Sequence, residues 1–191
     1  MNKSGPIIVI EDDIDDQEVL VEIFQKLGYV NKIIFFQDGN DALVYLNKSD
    51  VQPFLILSDI NMPKLNGFEL RNMVFTNEQL QTKCIPYLFF TTGANKKSVV
   101  DAYTLSVQGF FIKPNSMLAL ENTIRKIVDY WQECIAPNQF DDWLLSDPLL
   151  SLHLQIPTSD NPRHLLQAQS FSFKVTIEVF SFQLLSNHFR N

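Results

Sequence analysis

FLILSDINMP, residues Phe54–Pro63, is the stretch from which the fold can be read. An unbroken apolar run and a serine lead into Asp59, and Met62-Pro63 with Asn66-Gly67 then supply turn chemistry. A near-continuous apolar run of strand length marks a strand covered on both faces, as in a parallel sheet. The carboxylate at its end is held rigidly yet open to solvent, placed to act as a nucleophile or a metal ligand. A second run, Ile7-Ile8-Val9-Ile10, ends in Glu11-Asp12-Asp13. If the two strands are neighbours, several negative charges meet at one edge. Like charges at short range disfavour joint ionisation, so the clustering points to a metal-assisted site.

Outward from these two runs, strand-length apolar segments recur at Pro6–Glu11, Lys32–Phe36, Phe54–Asp59, Pro86–Thr91 and Gly109–Ile112. Segments with helical spacing lie between them. In Asp15–Leu27, Val19, Leu20, Ile23, Phe24 and Leu27 form one stripe, and Gly28 supplies a stop. Asp41–Lys48, Phe68–Phe75, Lys96–Ser106 and Ser116–Cys134 complete the set. Alternating strands and helices imply a doubly wound α/β domain with right-handed crossovers. The flavodoxin-like strand order 2-1-3-4-5 puts the site beyond the carboxyl ends of strands one and three, where the winding reverses. Those strands are the ones that end in Glu11-Asp12 and in Asp59.

Composition sets outer bounds. A chain of 191 residues has room for one well-packed domain and a small appendage. The formal net charge of -7 argues against a nucleic-acid surface, which needs clustered Lys and Arg. No run approaches the ~18 apolar residues of a spanning helix, and the first apolar stretch is too short for a secretory signal. No membrane partner is therefore expected. Cys84 and Cys134 lie far apart with no metal-ligand spacing, which fits reduced packing thiols in a cytoplasmic protein.

Each candidate has a bland reading beside the functional one. Asp59 could be a solvated loop acid, but it stands opposite a second acidic strand end. Glu11 and Asp12 could merely begin a helix, since acids favour that end of the dipole; Asp15, Asp16 and Glu18 are enough for that role. A calcium loop over Asp13–Glu18 lacks the required Gly and closing Glu. Lys113 could be an ordinary surface cation; at this sheet edge it would be a point charge for a phosphoryl oxygen, aimed by Pro114. Thr91, ending strand four, could donate its hydroxyl to the same oxygen. It gains weight only beside the others.

This set resembles the receiver domain of two-component response regulators, over roughly the first 135 residues, the length of one domain. IIVIEDD is similar to that family's first strand and acidic pair, which makes Glu11 and Asp12 the metal-binding acids and leaves Asp13 variable. LILSDINMPKLNGFEL resembles the phosphoacceptor segment, with Asp59 phosphorylated and the Asn61 carbonyl a further metal ligand. LFFTT places Thr91 at the switch hydroxyl, FFIKP places Lys113 at the phosphate-sensing lysine, and Phe110 falls on the rotating aromatic. The resemblance implies magnesium and a phosphohistidine donor on a histidine kinase or phosphotransfer protein. It also implies a downstream protein partner reading the face of the fourth helix, fifth strand and fifth helix. The chain's histidines, His153, His164 and His188, all lie beyond this region, so it is an acceptor with no turnover signature. Thr92, where the family often has Ala, and Gly93, with no side chain to orient or block water, bear on the lifetime of the phosphorylated state.

The expected boundaries are a receiver domain over 1–136 and an extension over 137–191. The extension holds five acids and three bases and shows no recognisable output domain. Leu150, Leu152, Leu154 and Ile156 alternate with polar residues, as do Phe171, Phe173, Val175, Ile177 and Val179. They read as a long-looped hairpin, as a poorly ordered tail, or as strands that pair two chains into a homodimer. Two other functions compete with the phosphoacceptor. A haloacid-dehalogenase-type phosphatase also uses a strand-end Asp, but needs an acid two positions on, where this chain has Asn61. A pseudo-receiver would dock partners without ever being phosphorylated.

Overall fold

The computed structural model describes residues 1–48 and 50–135. The expected boundary at 136 and the 137–191 extension, with its alternating stretches and three histidines, lie outside the described residues. Five strands form one sheet: β1 (Ile7–Ile10), β2 (Ile33–Phe36), β3 (Leu55–Ser58), β4 (Tyr87–Thr91) and β5 (Gly109–Ile112). They pair in the order β2-β1-β3-β4-β5, every pair parallel. This is the flavodoxin-like sheet expected from the sequence. β1, β3 and β4 are buried along their whole length while edge strand β2 is half-buried, which explains the unbroken apolar text of the central strands.

Successive strand residues serve opposite faces. Ile7 and Val9 join Leu20, Ile23 and Phe24 of α1 (Ile14–Leu27) and Leu120, Ile124, Ile127 and Val128 of α6 (Met117–Glu133). Ile8 and Ile10 instead join Ala42 and Leu46 of α2 (Gly39–Leu46), Leu70 and Val74 of α3 (Gly67–Thr76) and Ala102 of α5 (Lys96–Thr104). Each long helix has a local reason to start where it does. Asp13 accepts from the Asp15 and Asp16 backbone N–H groups, and Gly28 at φ 67° closes α1 with its N–H on the Phe24 carbonyl, as its place in the sequence implied.

The sequence reading missed one element. A short helix α4 (Glu78–Thr82) follows α3, capped by the Asn77 side chain and anchored only by Leu80. One apolar residue in an otherwise polar turn leaves no period to detect. The fourth and fifth helices expected from the sequence are therefore α5 and α6. Cys84 also departs from expectation: it is exposed, at φ 49°, in the loop that leaves α4, while Cys134 packs against the core.

Candidate functional site

Sheet register brings the acids together. Ile10 and Ser58 are partners across β1 and β3, and the Asp59 N–H donates to the Ile10 carbonyl at 2.8 Å. Glu11 and Asp59 thus leave adjoining strands side by side. Glu11, Asp12 and Asp59 each bring a carboxylate oxygen within 4.8 Å of the other two. Glu11 and Asp59 are buried and Asp12 is half-buried. Burial pushes the Glu11 carboxyl up to about 7, against the downward pull of its bond to Lys113.

The loop after β3 is fixed by packing. Ile60 and Met62 turn inward and are buried, while Asn61 and Pro63 face out. The Asn61 N–H donates to Asp59 Oδ2 at 3.0 Å. The Gly67 N–H donates to the Ile60 carbonyl at 2.9 Å, which brings the start of α3 against the turn that follows Asp59. A Cβ on Gly67 would overlap the Asp59 carbonyl oxygen and sit 2.8 Å from Ile60 Cα. In the sequence Gly67 reads only as a turn residue; here it is what lets the helix come this close.

Among the described residues, two buried oxygens at the site have no hydrogen-bond partner: Asp59 Oδ1 and Thr91 Oγ1. Buried polar atoms are nearly always satisfied, so orphans at one sheet edge mark a place prepared for something else. Thr91 is fully buried at the end of β4, and its carbonyl accepts from the Lys113 N–H at 2.8 Å. That bond holds Lys113 at the same edge. The Lys113 ammonium, 8% exposed, donates to Glu11 Oε2 and, at 2.6 Å, to Asp16 Oδ2. Burial alone would lower its pKa, but the Asp16 and Glu11 bonds outweigh that and raise it. From the sequence alone Asp16 reads only as an acid favouring the helix dipole. No sequence signal could have singled it out, because its partner stands 97 residues away.

Phe110 is half-buried on β5, set edge-on to Phe89 with ring centroids 6.1 Å apart. Thr92 and Gly93 are exposed, and a Cβ on Gly93 would meet nothing within 4 Å, so neither strain nor crowding demands glycine there. Val100 and Tyr103 of α5, Ile112 of β5 and Met117 and Leu118 of α6 are exposed apolar residues. Three carboxylates with a free buried oxygen form a hard-oxygen donor set that fits a small divalent cation.

Residues 7–125 match the response regulator receiver domain family. The chain belongs to that family. This receiver is 30% identical over 129 residues to the probable methanogenesis regulatory protein FilR2 of Methanothrix harundinacea, covering 65% of this chain and 82% of the relative. It is 28% identical over 139 residues to response regulator Rcp1 of Synechocystis sp., covering 70% and 93% of the two chains. The crystal structure of the Mn(2+)-bound form of response regulator Rcp1 superposes with a TM-score of 0.60 at 26% identity, covering 69% of this receiver and 97% of that chain. Among the described residues no helix is long and apolar enough to cross a membrane.

Proposed function

We propose that this receiver is a phosphoacceptor response regulator. Asp59 takes a phosphoryl group from a phosphohistidine on a sensor kinase or phosphotransfer protein, with magnesium held by Glu11, Asp12, Asp59 and the Asn61 backbone carbonyl. The observation that carries the reading is the buried, unpartnered Asp59 Oδ1 beside two further carboxylates, at an edge shared with the unpartnered Thr91 hydroxyl. A bound divalent ion would supply positive charge against the phosphoryl oxygens.

The chain's own groups account for the rest. Asp59 Oδ1 has a lone pair committed to no donor; it forms the new oxygen–phosphorus bond while the phosphorus–nitrogen bond of the donor breaks toward the imidazole. The Asn61 N–H holds the other carboxylate oxygen and so fixes the direction of attack. Thr91 Oγ1 then donates to a phosphoryl oxygen, and Lys113 contributes its ammonium. Movement of Thr91 frees space for Phe110 to turn. That alters the exposed apolar face of α5, β5 and α6, where a downstream protein would bind. Such a protein signals by its modified state and does not turn over substrate.

The test is intact mass after incubation with magnesium and a small acyl phosphate. One added phosphoryl group, lost with chelator and in Asp59→Asn, is the expected result. An unchanged mass with several donors would identify a docking module instead. Steady phosphate release from monoesters would identify a phosphatase, a reading opposed by the amide of Asn61, which cannot serve as the required acid.

A further inference from the structure

Lys113 is held by two carboxylates, and only Glu11 belongs to the proposed metal group. Asp16 stands apart from it, in the first turn of α1, where the Asp13 cap fixes the backbone that carries it. A lysine ammonium has three N–H donors, and two are spent on these acids. Asp59 influences Lys113 only through its charge and is not one of its hydrogen-bond partners. The structure therefore shows the lysine committed to the β1–α1 side of the site. The third N–H remains for a phosphoryl oxygen on Asp59, which would draw on the same ammonium charge that the two acids already hold. A cation bound to Glu11 would share that carboxylate's charge and loosen its hold, whereas Asp16 would keep its own.

We propose that Asp16 is a positioning residue: it restrains Lys113 in the unmodified protein and competes with the phosphoryl group for the ammonium. This rests on Asp59 being the acceptor and adds a regulation of that site. Asp16 thereby sets how far the equilibrium lies toward the unmodified arrangement. Its side chain is 38% exposed, so solvent screens the pair and the effect is modest.

Two measurements on the full chain test it, one independent of phosphoryl chemistry. In metal-free protein, the Lys113 ammonium should give a proton–nitrogen correlation signal protected from solvent exchange, assigned by its loss in Lys113→Arg. Asp16→Asn should remove that protection and Asp15→Asn should not, because Asp15 is exposed and makes no bond to Lys113. At saturating magnesium, Asp16→Asn should tighten binding of beryllofluoride, a non-covalent phosphoryl mimic, by about threefold to tenfold, the worth of a partly screened charged bond. Asp15→Asn makes the same charge change one residue away and should shift the affinity less than twofold, the allowance for a screened field alone. Equal effects of the two variants, or a Lys113 signal untouched by Asp16→Asn, would overturn the proposal. Wild-type protein that binds no mimic would overturn the acceptor reading and the competition with it, while the ammonium signal would still report separately whether Asp16 restrains the lysine.

Discussion

Thr91 shows how much one atom can say. Its hydroxyl is fully buried with no partner among the described residues, an arrangement that costs stability in the resting protein. Thr91→Val keeps the shape and removes the orphan oxygen. The variant should be as stable as wild type or about 1 kcal/mol more so in urea unfolding, while its affinity for beryllofluoride with magnesium falls. A clear loss of stability would mean that the hydroxyl is satisfied after all. Glu11 carries a different kind of tension, a carboxylate buried against two other acids and held partly ionised by one ammonium. Both residues are uncomfortable without a ligand, which supports the roles proposed for them.

The elements around the site are fastened to one another at a few points. Gly67 lets α3 begin directly on the turn that follows Asp59; Gly67→Ala forces a backbone shift, with an expected cost of about 1–3 kcal/mol and a reduced rate of phosphorylation in the mass assay. Behind it, Arg71 of α3 is buried and donates to the Leu105 and Ser106 carbonyls at 2.9 and 2.8 Å. Those carbonyls follow α5, where Ser106 sits at φ 55°, and the guanidinium also lies over the Phe75 and Tyr87 rings. Arg71→Leu keeps apolar bulk but strands two carbonyls. Its expected cost is about 2 kcal/mol in urea unfolding, with the loop after α5 losing amide-exchange protection before the sheet does.

At the level of the whole molecule, a proton and a bound cation would compete for the Glu11 carboxylate. The folded-state pKa of Glu11, about 7, lies above the unfolded value of 4.5, so the folded protein holds the proton more tightly. Stability from this group is full below pH 4.5 and is lost as pH rises through 7, by about 3 kcal/mol at most. Asp38 and Glu121 have the opposite sign: bonds to Lys64 and Lys26 depress their folded values, and their contribution disappears as pH falls through the acid range. Urea unfolding in chelator should therefore show greatest stability at mildly acidic pH, and Glu11→Gln should flatten the decline toward pH 8. Magnesium should reverse that decline, adding about 2.7 kcal/mol at a hundredfold excess over its Kd. A stability maximum at pH 8 in chelator would contradict the burial argument.

By itself the sequence determined the strands and the acids that end them, and the flavodoxin-like order then brought Glu11, Asp12 and Asp59 to one edge. Unbroken apolar runs encode strands buried on both faces, and the residue that ends such a strand must emerge at the sheet edge. It also located Thr91 and Lys113 at that edge, since strand ends are a local property. What it could not hold was the pairing of side chains over distance. The choice of Glu11 and Asp16 as partners of Lys113, the approach of Gly67 to Asp59 and the reach of Arg71 to the end of α5 each join separate elements. Only the packing of α1, α3 and α5 onto the sheet decides such contacts, because polar side chains find partners by position in space and leave no period in the chain.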